Sequence, residues 1–176
     1  METILRGRSK QVKISPQGGF TMIGEKINPT GRKKLAAALQ EGNLDYVRDL
    51  AQAQVDAGAD ILDVNVGVPG VDEPALMHAV VTMLAGSFDL PFCLDSADPK
   101  TLATGLSVAP GKALINSVNA KPASLDAVLP LAKEYSATVI GLTMDADGIP
   151  ATAPARLAAA GKIIEAAAHY GIPSED

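Results

Sequence analysis

The 176-residue sequence contains almost none of the side chains that build disulfides and metal centres. Its single cysteine, Cys93, has no partner for an intramolecular disulfide, and a cysteine-based zinc cluster is excluded for the same reason. The two histidines, His78 and His169, lie too far apart in sequence to suggest a local metal motif. We therefore expect no metal site built from these residues.

Positive charge and long apolar runs are also scarce. Fifteen basic against 20 acidic side chains give a net charge of -5, which opposes binding to nucleic acid or to an anionic membrane. No apolar stretch approaches the roughly 20 residues of a membrane-spanning helix, and the start METILRGRSK lacks the apolar region of a signal peptide. We expect a cytoplasmic protein with neither nucleic acid nor membrane as a partner.

What the sequence does contain is a regular alternation of short β-branched runs and longer helical patterns, in a chain that is 47% hydrophobic. This alternation predicts five parallel βα units, because parallel strands are joined through helices. The predicted strands lie at about 20–25, 60–64, 92–95, 113–116 and 138–142. Helices are predicted near 44–58, 74–84, from 99 onwards, 124–135 and 154–170.

Five such units fit either an open doubly wound sheet or part of a (β/α)8 barrel, which typically takes about 250 residues. Composition leaves both open. Residues 1–19 precede the first unit, and we expect them to form an N-terminal extension with a short strand and a turn. Residues 20–176 are predicted to form one domain.

Polar side chains stand where the predicted strands give way to their loops. Parallel strands bring these ends to one face, which is where ligands bind in such folds. The residues at these positions are Glu25, Asp63, Asn65, Asp95, Asn116 and Thr143.

Each of these residues has a structural alternative. Asp63 and Asn65 also suit an Asx turn or a helix cap, and Glu25 suits a local ion pair. Asp95 differs, because Asp98 precedes a proline and is the better candidate for the N-cap of the next helix. Asp95 therefore has no evident structural task.

Asp95 together with Asn116 on the next strand predicts a paired acceptor and donor site. A carboxylate with amides, in a pocket without metal ligands, suits a flat heterocycle that carries adjacent N–H donors. A 2-amino-4-oxo pyrimidine presents such a pair, and one aspartate can accept both hydrogens.

Five segments in order resemble the signature segments of the corrinoid-dependent methyltetrahydrofolate methyltransferases, a family of pterin-binding TIM barrels. The folate-binding module of cobalamin-dependent methionine synthase is similar in the same places. Dihydropteroate synthase matches less well, because its segment around NVTPDSFSDGG is missing after the first strand. The five segments are IGEKINPTGRKK, GADILDVNVG, PFCLDSADP, ALINSVNA and VIGLTMDADGIP.

The resemblance implies a TIM (β/α)8 barrel of the pterin-binding type, truncated here to about five βα units. Asp95 corresponds to the family aspartate that binds the pterin ring, and Asn116 to the amide that assists it. Asp63 and Asn65 match the family's LDxN and would shape the same pocket, with Glu25 and Asn28 beside them.

The family reaction moves a methyl group from N5 of 5-methyltetrahydrofolate to the cobalt(I) of a corrinoid (cobalamin) carried on a separate protein. The resemblance thus implies a folate substrate and a corrinoid protein partner. The family groups expected to act at N5 lie on later strands, beyond residue 176. We accordingly expect completion by another chain or a homo-oligomer. A dihydropteroate synthase-like enzyme and a non-catalytic folate-binding or assembly fragment remain open alternatives.

Overall fold

The computed structural model of the chain describes residues 2–176 and consists of a parallel sheet, a layer of helices and a small hairpin. The parallel sheet has five strands in the order β3-β4-β5-β6-β7, and the hairpin pairs β1 with β2 antiparallel. The strands are β1 (Thr3–Arg6), β2 (Gln11–Ile14), β3 (Ile23–Ile27), β4 (Ile61–Val64), β5 (Phe92–Asp95), β6 (Leu114–Asn119) and β7 (Thr138–Leu142).

Helices connect the parallel strands, as expected for βα units. They are α1 (Lys33–Gln40), α2 (Leu44–Asp56), α3 (Glu73–Ser87), α4 (Pro99–Leu106), α5 (Pro122–Glu134) and α6 (Ala153–His169). Consecutive parallel strands are neighbours throughout the sheet, which is the order of a barrel and not of a doubly wound sheet. The chain therefore forms part of a TIM barrel, with β3 and β7 at the two edges of the sheet.

The predicted N-caps Asn43 and Asp98 are confirmed, while α3, α5 and α6 begin one or two residues before their predicted starts. The side chain of Asn43 accepts a hydrogen bond from the N–H of Tyr46 at 3.2 Å and caps α2. Asp98 caps α4 by accepting from the N–H groups of Lys100 and Thr101. These side chains satisfy donors that a helix leaves free in its first turn. Asp95 is thus free of a capping role, as the sequence predicted.

Two predictions about the first unit were wrong. The first parallel strand was expected at 20–25 but runs over Ile23–Ile27, since Phe20 is 89% exposed and belongs to the preceding loop. A single helix was expected before β4, whereas α1 and α2 are separate. Gly42 adopts a φ of 69° after α1, a conformation that ends a helix and that glycine takes without steric cost.

The core has two parts, one on each side of the sheet. The larger part packs the outward residues of the strands, among them Leu62, Leu94 and Ile115, against the helices. The smaller part lies on the inner face, where Leu5 and Val12 of the hairpin cover the lower ends of the strands. The hairpin thereby shields the inner face at the end opposite to the strand C-termini.

Among residues 2–176, none of the helices combines the length and apolar character needed to cross a membrane.

Candidate functional site

The inner face of the sheet changes from apolar to polar along the strand direction. Ile61, Cys93 and Leu114 form its lower, apolar part together with the hairpin. Side chains two residues further along a strand point to the same face, so Asp63 follows Ile61 and Asp95 follows Cys93. The C-terminal ends of β4, β5 and β6 therefore bring the predicted polar residues onto one surface.

A hydrogen bond joins the side chains of Asp95, at the end of β5, and Asn65, directly after β4. Asn65 donates from Nδ2 to Oδ2 of Asp95 at 2.9 Å, while its Oδ1 accepts from the N–H of Gly67 at 2.9 Å. The loop N–H thus fixes the orientation of the Asn65 amide, so that its donor end is directed at the carboxylate. One Asp95 oxygen remains available to a ligand.

Asn116 makes its hydrogen bond to Asp63 and not to Asp95, although Asp95 is its register partner on the adjacent strand. Its Nδ2 donates to Oδ1 of Asp63 at 3.3 Å. Asp63 is only 1% exposed, and its Oδ2 is the one buried side-chain oxygen or nitrogen without a hydrogen-bond partner within residues 2–176. A buried carboxylate oxygen without a donor is energetically costly, and this favours the neutral form of Asp63.

Glu25 lies on the inner side of the edge strand β3 and pairs with Asn28, whose Nδ2 donates to Oε1 of Glu25 at 2.9 Å. The register of β3 against β4 shifts between Gly24 and Ile27, so the strand carries an extra residue at Glu25. A β-bulge of this kind changes the direction of side chains and is common beside functional sites. The buried Gln54 of α2 stabilises the shift by accepting from the N–H of Lys26 at 2.6 Å.

A second register shift lies on β6 between Ile115 and Val118, and it includes Asn116. Beside it, a cleft of about 510 Å³ opens between the ends of β5, β6 and β7. Asp95 and Asn116 line this cleft, together with Ser96, Asn119 and Met144 among others. Thus β3 departs from regular pairing at Glu25 and β6 at Asn116, and both are predicted site residues.

Burial raises the pKa of Asp63 and of Asp95 above the ordinary aspartate value. Hydrogen bonds from Cys93 and Asn116 partly oppose the rise at Asp63, whereas the charges of Asp95 and Glu25 add to it. At Asp95 the Asn65 hydrogen bond opposes the rise, and Glu25 and Glu73 add to it. Desolvation and like charge both favour the neutral form of a carboxyl group.

Cys93 lies beside Asp63 on the inner face and is fully buried. Burial is the largest cause that raises the pKa of its thiol, followed by the charge of Asp63. A neutral thiol in such surroundings is a small apolar side chain and not a nucleophile.

The site is acidic and lacks a basic counter-ion. None of the ion pairs found between residues 2 and 176 includes Glu25, Asp63 or Asp95. No group of three or more His, Cys, Asp or Glu side chains suited to a metal ion occurs in that part of the chain either. Chemically, the arrangement offers acceptors for several N–H donors on one face and amide groups beside them.

The structure brings together the predicted residues Asp63, Asn65, Asp95 and Asn116, with the Glu25–Asn28 pair at the β3 edge. Sequence reasoning missed three residues that support them: Gln54, Ser96 and Glu73. Gln54 had a visible signal, because it is a polar residue on the apolar face of a predicted helix. Ser96 and Glu73 had none, since their contact joins positions 23 residues apart.

Comparison with known proteins gives a family match and named relatives. The family described as "pterin binding enzyme" matches residues 24–176. The chain is 34% identical over 158 residues to the methionine synthase of Mycobacterium tuberculosis, covering 87% of this chain and 13% of that protein. It is 29% identical over 156 residues to the methylcorrinoid:tetrahydrofolate methyltransferase of Eubacterium limosum, covering 86% and 56% respectively. The chain therefore spans about half of the one relative and a small part of the other.

Solved structures with the same fold include dihydropteroate synthases. The enzyme from Vibrio fischeri superposes with a TM-score of 0.66 at 19% identity, covering 98% of this chain and 64% of that chain. The enzyme from Yersinia pestis gives 0.67 at 21% identity, covering 97% and 61%. At this identity the likeness shows the fold alone, and the coverage shows that the chain corresponds to part of the barrel.

Proposed function

This chain belongs to the pterin-binding enzyme family, and we propose that it carries part of the pterin site of a methyltransferase that acts at N5 of tetrahydrofolate. Relatives named as methionine synthase and as methylcorrinoid:tetrahydrofolate methyltransferase support a methyltransferase. The observation that carries the proposal is the pair of carboxylates Asp63 and Asp95, held by Asn116 and Asn65 on one polar face without a cation.

In this proposal Asp95 accepts the two adjacent N–H donors of the 2-amino-4-oxo pyrimidine ring of the pterin. Asp95 is suited to this because it lines the cleft and its amide partner leaves an oxygen available. Asn116 supplies an amide at the same edge, while Asp63, Asn65, Glu25 and Asn28 shape the pocket. Charge-assisted hydrogen bonds in a partly buried site are strong and directional, so they orient the ring.

The reaction we propose moves a methyl group from N5 of 5-methyltetrahydrofolate to a corrinoid on a partner protein. The corrinoid supplies the cobalt that accepts the methyl group. N5 is a poor leaving group unless it gains positive character, so the reaction needs a proton donor there. The residues of this chain hold the pterin ring in place, and we assign the group at N5 to barrel units other than the five described here.

We also propose that further β/α units complete the barrel beside β7 or β3. The dihydropteroate synthases extend well beyond the part that this chain matches, which supports units beside β7 or β3. Edge strands with free N–H and C=O groups pair readily with an added strand. On α6, which packs beside β7, Leu157 and Ile164 are 72% and 57% exposed and offer an apolar surface to such a unit.

Calorimetric titration of the 176-residue chain with 5-methyltetrahydrofolate tests the pterin assignment. Asp95→Asn keeps the shape of the side chain but removes its charge and one acceptor. We expect a loss of about 1.5 to 3 kcal/mol of binding free energy, as for a hydrogen bond to a charged group. Asp49→Asn on the exposed face of α2 is the matched control and should bind like the unaltered chain. Equal affinity of Asp95→Asn and the control would refute the assignment.

Dihydropteroate synthesis is the second candidate function, because solved structures with this fold are named as dihydropteroate synthases. Incubation with the pterin pyrophosphate and p-aminobenzoate separates the two activities. Pteroate formation without any corrinoid would favour the second candidate. Binding of 5-methyltetrahydrofolate without either activity would instead identify the chain as a non-catalytic folate-binding part.

A further inference from the structure

Ser96, the residue directly after Asp95, is a buried serine whose hydroxyl group donates one hydrogen bond and accepts another. It is 7% exposed, and its Oγ donates to Oε1 of Glu73 at 2.5 Å. The same Oγ accepts from the N–H of Asp98 at 3.1 Å. A hydroxyl has one donor hydrogen, so its donor capacity is used by Glu73.

These bonds tie together the three elements that surround Asp95. Glu73 is the first residue of α3, Asp98 caps α4, and the N–H of Ser96 donates to the backbone oxygen of Asn116 on β6 at 3.3 Å. The turn that follows β5 is therefore held from both neighbouring helices and from the adjacent strand. Since a side chain can point only where its backbone directs it, this turn governs the direction of the Asp95 carboxylate.

We propose that Ser96 and Glu73 are positioning residues for Asp95, holding the turn after β5 so that the carboxylate faces the cleft and Asn65. The proposal rests on the proposed pterin-binding function and adds a hydrogen-bonded support for the residue that accepts the pterin's N–H donors. Supports of this kind keep a binding group in productive geometry, and their loss weakens binding although the binding group itself is intact.

Glu73 also contributes to the electrostatics of the site. The groups that face Asp95 are Glu25 from β3, Asp63 and Asn65 from β4 and its loop, and Glu73 from α3. Burial is the main cause of the raised pKa of Asp95, and Glu25 and Glu73 raise it further, while Asn65 lowers it.

Two variants separate the hydrogen bonds from the charge. Ser96→Ala removes both bonds of the hydroxyl and leaves Glu73 charged. Glu73→Gln keeps an oxygen that can accept from Ser96 and removes the charge. Ser96→Thr restores the hydroxyl as a rescue variant, and the exposed residues Ser107→Ala and Glu41→Gln serve as matched controls. Each variant is titrated with 5-methyltetrahydrofolate between pH 5 and 8, and the carboxyl carbon of Asp95 is titrated by NMR in the ligand-free chain.

We expect Ser96→Ala to weaken pterin binding roughly tenfold at every pH, as for the loss of hydrogen bonds to a charged group, and Ser96→Thr to recover most of that loss. Glu73→Gln should move the Asp95 titration to lower pH, because it removes a charge that raises the pKa of Asp95. Unchanged affinity in Ser96→Ala, or an unmoved Asp95 titration in Glu73→Gln, would overturn the proposal.

Failure of the positioning proposal can be distinguished from failure of the proposed pterin-binding function. If the unaltered chain does not bind the pterin, the pterin assignment fails at once. The NMR titration of Asp95 needs no ligand, so it still tests whether Glu73 acts on Asp95. A lower thermal stability of Ser96→Ala, with intact pterin affinity, would show that the serine serves the fold alone.

Discussion

Asn65 donates a hydrogen bond to Asp95 at 2.9 Å, and this bond lowers the pKa of Asp95 against the effects of burial and of Glu25 and Glu73. The amide thus favours the charged form of the carboxyl group, the form that can accept two N–H groups from a ligand. Removing it should raise the pKa of Asp95 further, because the opposing effects remain.

Asn65→Ala should therefore weaken binding of 5-methyltetrahydrofolate, more at low pH than at high pH. Loss of one hydrogen bond of this kind predicts an effect of about 1 kcal/mol, or about fivefold, near pH 6. The measurement is the dissociation constant of variant and unaltered chain between pH 5.5 and 8.5. Gln17→Ala, in an exposed turn, provides the control. A deficit of equal size at every pH would contradict the proton-linked explanation.

Most of this fold was predictable from local sequence patterns, because apolar runs and helix caps involve residues that are close together in the sequence. Strands β5 and β7 lie where the apolar runs predicted them, and Asn43 and Asp98 cap their helices as expected. The start of β3 was misplaced, because Phe20 continues the apolar run without being buried. Whether an apolar side chain is buried depends on how the sheet and the helices pack, and not on the apolar run alone.

The candidate site was predictable as a group of residues but not as a set of bonds. Parallel strands bring their ends to one face, so the convergence of Asp63, Asn65, Asp95 and Asn116 followed from the predicted strands. The choice of Asp63 as the partner of Asn116 did not follow, since β6 departs from regular pairing at that residue. A register shift depends on the neighbouring strands, and no local sequence pattern encodes it.

Asp63→Asn should change the pH dependence of stability. Burial raises the pKa of Asp63 in the folded chain, so folding binds a proton that the unfolded chain, with a pKa near 3.9, has already released. This contribution to stability is fully present below the unfolded pKa and is lost as the pH rises through the folded pKa. We therefore expect Asp63→Asn to gain stability relative to the unaltered chain as the pH rises from 4 towards 8.

The measurement is urea denaturation of both chains at several pH values over that range. Asp49→Asn, at an exposed position of α2, removes the same charge outside the site and is the control. A difference between Asp63→Asn and the unaltered chain that does not vary with pH would show that Asp63 is not the titrating group. Loss of the bond to Asn116 would by itself produce only such a constant offset.

Gln54→Ala should destabilise the chain through the register shift on β3. Gln54 is buried, accepts from the N–H of Lys26 at 2.6 Å and donates to the carbonyl oxygen of Leu50 at 3.2 Å. Alanine would leave the Lys26 N–H without its partner, at a cost of about 1 to 3 kcal/mol in the free energy of unfolding. Gln52→Ala on the exposed face of the same helix is the control. Urea denaturation with equal midpoints for the two variants would contradict the prediction.

The exposed face of α6 should drive association of the chain. Leu157 and Ile164 lie seven residues apart and therefore on the same side of the helix, beside an apolar groove of about 150 Å³ that Ile163, Ile164 and Val139 help to line. Apolar residues exposed together on an otherwise polar surface mark contact sites. We expect the unaltered chain to self-associate with rising concentration in sedimentation velocity experiments.

Leu157→Lys combined with Ile164→Lys should shift the chain towards the monomer, because each lysine replaces an apolar contact by a charge that resists desolvation. Ala155→Lys combined with Ala158→Lys adds the same charge on a different side of α6 and should leave the association unchanged. If both double variants reduce association equally, net charge explains the effect. If the unaltered chain is monomeric at every concentration, its α6 face does not bind a second copy.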